Sequence, residues 1–245
     1  MDTAWLAQEA KTIHQIFTNY FYMLVGTLIL VGVVLDYFKL AIGGTPQFAM
    51  LIGRALIASL LLMATPEIMN ALSSVTDAIA QELGDLNKVK LVMSRMSDKV
   101  GTFSWSWVSV KESLLLAISF ITFFILYIAV HLADSLFLFT WMLLYVFSPL
   151  LIAFFVLPST ASATKGLFRS MMEVSGWKIV WSVLTSLLWS FAMIELDKPD
   201  SNISFLSAIV LNLMLFFSVL VTPKITSALI NGGLSQVQRR SEYDT

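Results

Sequence analysis

The chain of 245 residues has no cysteine, two histidines, six prolines and few charges, with Asp, Glu, Lys and Arg at 13%. Each shortage excludes something. Without cysteine there is no disulfide, no thiol nucleophile and no thiolate-bound metal, while the compartment stays open. His14 and His131 stand far apart in sequence, so neither has a second imidazole beside it. The charge content is about half that of an ordinary soluble domain. A net charge of −1 gives no basic field to attract nucleic acid or anionic lipid. No GxxxxGK[ST] phosphate cradle, GxSxG elbow, HExxH pair or calcium loop occurs. The expectation is a non-enzymatic protein with no cofactor, no metal and no catalytic residue. The N-terminal MDTAWLAQEAKTIHQ lacks the basic, apolar and small-residue order of a cleaved signal, which leaves insertion to the first span.

What is present is apolar. Hydrophobic residues reach 58%, mean hydropathy is +0.82 and there are 18 phenylalanines. From Ser113 to Thr164 the one formally charged side chain is Asp134, with His131 near it. No soluble domain has room to bury such a run. The predicted class is therefore an all-α, polytopic membrane protein with five or six transmembrane helices and an amphipathic helix between the second and third. Four regions follow. Residues 1–66 hold an interfacial helix and the first two spans, and 67–112 form an amphipathic and aromatic extramembrane region. Residues 113–222 form a C-terminal membrane bundle, and 223–245 a cytoplasmic tail.

Residues 2–16 place Trp5, Leu6, Ile13 and Ile16 on roughly one helical face, as an interfacial lead-in helix would, with His14 as an interfacial residue. Spans are expected at 17–38 and 48–65. Asp36 and Arg54 lie at similar depth on either side of the GGT-Pro46 turn. They read as a pair locking the hairpin, or as part of a polar path. After Pro66, the residues Ile68, Leu72, Val75, Ile79, Leu83 and Leu86 recur at helical spacing as one apolar face. Trp105 and Trp107, in Phe-Ser-Trp-Ser-Trp, fit a membrane interface or a binding surface. His131 and Asp134, three apart, share a helical face and read as a polar contact or an ion-handling pair. Pro149 is expected to open the ladder of its helix, Pro158 to end it, and Trp177 to anchor the entrance of the next span.

Residues 113–157 pose the main question of topology. They either fold back at 131–135, giving six spans, or form one long helix, giving five. With six, Lys11, Lys88, Lys90, Arg95, Lys99, Lys111, Lys165, Arg169, Lys224, Arg239 and Arg240 fall on one side, against Lys39 and Lys198 on the other. That asymmetry makes their side cytoplasmic. With five, the bias disappears. Both arrangements put 159–176 and the C-terminus in the cytoplasm.

The stretch LLYVFSPLLIAFFVLPSTASATKGLFRSMMEVSGWKIVWSVLTSLL, residues 143–188, resembles the TrbL-type polytopic inner-membrane subunit of bacterial type IV secretion and conjugal transfer systems. The shared features are Ser-Pro-Leu-Leu-Ile-Ala-Phe at a helix end, a small-residue loop, and Trp-Lys opening another span. Residues 66–85, where Pro leads a helix, resemble the family segment after its second span. The resemblance implies a channel or platform subunit in the bacterial inner membrane, with its C-terminus cytoplasmic. Substrates would be protein or single-stranded DNA–protein complexes. Partners would be an ATPase, a periplasm-spanning scaffold, pilus components and other copies of the chain. It also implies an external N-terminus, an external region after the second span and one long helix over 113–157. A reading from a different class is a stand-alone transporter or channel for a small solute, in which Asp36, Arg54 or Asp134 would be essential.

Overall fold

A computed structural model describes residues 4–41, 45, 48–83, 110–196 and 201–230. Those residues form five α-helices: α1 Ala4–Ala41, α2 Phe48–Leu83, α3 Val110–Ala153, α4 Ser162–Leu196 and α5 Ser201–Ile230. A 3-10 turn, Phe154–Val156, extends α3. Among the described residues four segments are long and apolar enough to cross a membrane: Trp5–Leu40, Phe48–Leu83, Phe120–Val156 and Ile209–Ile230. The fold is that of a helical membrane protein, as composition demanded.

The residues divide into two compact units. The first is Met1–Ser73 with Leu138–Met172, the second Ser74–Phe137 with Glu173–Thr245. In the first, Phe21, Val25, Ala55, Ala58, Leu62, Met69, Ile152, Val156, Leu167 and Met171 share one apolar core. Its contacts fix a direction. His14 stacks on Tyr145, Phe17 meets Phe147, and Gly32 approaches Leu157. Both numbers rise together, so α1 runs parallel to the last part of α3. In the second unit Ala133, Trp181 and Val219 form a smaller cluster with Phe137 and Trp177 against it. Glu173 with Ser227, Gly176 with Thr226 and Trp181 with Val219 set α4 antiparallel to α5.

Three expectations change. No interfacial helix is set apart from the first span, because α1 runs unbroken for 38 residues. At 1.5 Å per residue that is about 57 Å. Pro66 does not begin a helix. It lies inside α2, where Thr65 Oγ1 donates to the Leu61 carbonyl at 2.7 Å. The inward face of that helix matches the expected one only in part: Leu72 packs against the first unit's core, and Ile68 and Leu83 are half-buried. Val75 is 60% exposed and Ile79 37%, while Met69, Thr76 and Ala80 are buried. Lipid accepts large apolar side chains, and small ones let helices approach, so apolar periodicity does not by itself mark the core here.

The reversal at 131–135 is absent. α3 is one helix of 44 residues through His131 and Asp134, and its end runs parallel to α1. A fold-back would have made that end antiparallel. The charge asymmetry that favoured six spans is overturned on both counts.

Candidate functional site

Proline lacks an N–H, so Pro149 removes the donor that would have bonded the carbonyl four residues back, that of Tyr145. The helix is not broken there. It continues to Ala153 because Tyr145 O gains two side-chain donors: Ser148 Oγ at 2.8 Å and His14 Nδ1 at 2.8 Å. A carbonyl only accepts, so His14 Nδ1 carries its hydrogen. The imidazole also stacks on the Tyr145 ring, centroids 4.1 Å apart and 14° from parallel. His14 is buried. It is a bracket between α1 and the proline kink, not an interfacial residue.

The end of α3 is closed in the same way. When an α-helix tightens into a 3-10 turn, N–H groups bond three residues back instead of four, which frees a carbonyl at the junction. The freed group is Leu151 O, and Thr164 Oγ1 donates to it at 2.7 Å. Thr160 Oγ1 donates to Phe154 O at 2.7 Å. Arg54 Nε donates to Phe155 O at 2.8 Å, and its guanidinium lies 4.6 Å from the Phe155 ring centroid. A cation at a helix C-terminus also meets the negative end of the helix dipole. The small-residue loop is thus a set of hydroxyls placed to cap one helix end. Gly32 belongs to this junction: a Cβ there would lie 2.8 Å from Leu51 Cδ1 and 3.1 Å from Leu157 Cδ2.

Asp36 and Arg54 do not form the expected lock. Asp36 is 4% exposed and accepts from Lys39 Nζ at 2.8 Å. Arg54 serves α3 instead. His131 and Asp134 are both exposed. The His131 ring rests on Tyr127 at 4.2 Å between centroids, and Ser135 Oγ bonds the His131 carbonyl. Trp177 is no entrance anchor, because α4 begins at Ser162 and the indole nitrogen is buried. Trp105 and Trp107 lie outside the described residues.

The second unit brings together groups the sequence did not connect. Lys178 Nζ pairs with Asp77 at 2.7 Å and lies 4.7 Å from the centroid of Phe137. Asn212 Nδ2 donates to Thr122 Oγ1 at 3.5 Å. Among the described residues no three His, Asp or Glu side chains gather as a metal site. What the first unit's junction does is hold the end of α3 through side-chain donors.

No family model, curated protein or solved structure matches this chain.

Proposed function

We propose that the chain is a channel or platform subunit of a type IV secretion machine in a bacterial inner membrane, helping protein or DNA–protein substrates across. The observation that carries this reading is α3. Its 44 residues extend about 66 Å, more than twice the roughly 30 Å of a bilayer core. Apolar side chains are exposed over most of that length, including Leu114, Phe120, Phe124, Ile128, Leu132, Leu136 and Phe139. Such a surface beyond lipid needs other protein, which a machine subunit has and a stand-alone transporter lacks. The long helix, with α1 parallel to its end, is also the topology that the resemblance at residues 143–188 implies.

On this reading the chain crosses five times. The N-terminus and residues 84–109 lie outside, and the links 42–47 and 157–161 and the C-terminal tail lie in the cytoplasm. The orientation follows the resemblance, since cations divide almost evenly between the two sides of a five-span chain. The junction at Pro149–Thr164 then closes the cytoplasmic end of α3, where an ATPase-driven movement would act.

Photocrosslinkers at Leu114, Phe124 and Leu132 test the reading in native membranes. Adducts with secretion subunits or with other copies of the chain are expected. Solute transport by the isolated protein in liposomes, with lipid-only adducts at all three positions, would overturn it. Single engineered cysteines at 101–111 should label from outside, against a background free of native cysteine.

A further inference from the structure

Among the described residues three buried side-chain polar atoms have no protein partner: Trp177 Nε1, Trp181 Nε1 and Thr226 Oγ1. All three fall in the second unit, along the antiparallel seam of α4 and α5. Trp177 and Trp181 are one turn apart, with ring centroids at 6.3 Å. Thr226 enters the seam beside Gly176, where its Cγ2 lies 2.7 Å from the position of a Cβ. Trp181 and Thr226 are each 3% exposed. A buried polar group in an apolar setting is costly if left unpaired, and three along one seam call for a partner.

Pro223 supplies the complementary group. It stands inside α5 and has no N–H to give to the carbonyl four residues back, that of Val219. The nearby hydroxyl of Thr222 goes elsewhere, to Ser218 O at 2.7 Å. Val219 packs in the same cluster as Trp181. An indole without an acceptor and the residue whose carbonyl Pro223 deprives of its helical donor therefore pack in one cluster.

We propose that the α4–α5 seam is a buried hydration site. One water accepts from Trp181 Nε1 and donates to Val219 O, and the site continues toward Trp177 and Thr226. We take the ligand to be neutral: Lys178, next to Trp177 in sequence, is committed to Asp77 and Phe137. Water in a buried site needs two to four polar partners, and water is one of the groups that resatisfy proline-freed carbonyls in membrane helices. The proposal does not depend on the secretion reading.

The test replaces Trp181 by benzothienylalanine, which keeps the shape of indole and removes its N–H, in the full-length protein in bilayers. Removing a donor that has no partner leaves the folding equilibrium unchanged or more favourable. Removing one that bonds water lowers it by about three- to tenfold, and this is the result expected. The same replacement is then made with Pro223→Ala, which returns an N–H to Val219 O and displaces the water. The loss should shrink to less than twofold. An equilibrium unmoved or raised by the isostere, or an equal loss in both backgrounds, overturns the proposal.

Discussion

The two units solve one packing problem with different materials. Among the described residues the first buries sixteen apolar and five polar side chains, the second nine and eight. Phe21, Ile152, Leu167 and Met171 are the largest apolar side chains fully buried in the first. The second is lined by Thr76, Thr122, Ser175, Ser182, Thr185, Asn212, Thr222 and Thr226. Close-packed large side chains make a core that resists rearrangement. Small hydroxylic interfaces depend on close backbone approach and on hydrogen bonds of modest worth in a membrane. Packed so, the first unit should resist change more than the second, whose seam is proposed above to hold water.

Proline shows where the two overlap. Each of the three helix-interior prolines, Pro66, Pro149 and Pro223, follows a fully buried hydroxyl residue, Thr65, Ser148 or Thr222. Each hydroxyl bonds a carbonyl three or four residues back. Such back-bonding favours bending, but only Ser148 donates to the carbonyl that its proline frees; Thr65 and Thr222 serve the carbonyl one residue earlier. Only at Pro149 is the freed carbonyl, Tyr145 O, shown to have acceptor duties filled from another helix, by His14.

Breaking the first unit should cost most at Arg54. Arg54→Met removes a charge-assisted bond to Phe155 O and a cation–π contact. Bonds to charged groups contribute about 1.5–3 kcal/mol and such contacts about 0.5–1, so a loss near 3 kcal/mol is expected in reversible unfolding from bilayers. A value below 1 would mean that the turn closes without it.

His14→Ala should cost about 2 kcal/mol, because the Tyr145 carbonyl keeps only Ser148 and the ring stack is lost. Its cause is checked by a double-mutant cycle. Pro149→Ala returns the missing N–H to Tyr145 O, so His14→Ala should then cost at least about 1 kcal/mol less. Additive costs would detach His14 from the proline.

Two glycines sharpen the contrast. Gly32→Ala pushes against the mobile tips of Leu51 and Leu157, whereas Gly176→Ala meets Thr226 Cγ2, at 2.7 Å on a short branched side chain. Gly26 faces open space. Helix propensity favours alanine over glycine by up to about 1 kcal/mol. Gly26→Ala should therefore stabilise, Gly32→Ala stay near neutral, and Gly176→Ala destabilise by about 1 kcal/mol through overpacking. Unfolding midpoints rank all three.

Helical spans, and the end of α3 near Pro158, were legible because apolar length and proline act locally. The partners were not. Arg54 and Asp36 stood at similar depth with opposite charge, but an arginine can also answer a carbonyl, and nothing in the spacing reveals a helix end about a hundred residues away. His14 was misread for the same reason: its partner exists only because Pro149 frees Tyr145 O. The face of α2 beyond Pro66 was read by the rule for water-soluble helices, and it holds at Leu72 but not at Val75 or Ile79. The charge count failed on α3 because it weighed cations around an assumed reversal, whereas 131–135 holds no Gly or Pro to make one.

The smallest effects belong to the second unit's hydroxyls. Ser182 and Thr185 are buried at 3% and 4% in α4. Polar contacts between membrane helices average about 0.6 kcal/mol, because a separated helix also finds partners. Ser182→Ala and Thr185→Val should each shift stability by less than about 1 kcal/mol, and their sum should be additive if each acts alone. The first unit's hydroxyls differ, since Thr164→Val strands the Leu151 carbonyl and should cost about 1–3 kcal/mol. If Ser182 or Thr185 matched Thr164 in cost, the second unit would be as rigidly specified as the first. The contrast between a more resistant unit and a less resistant one would then fail.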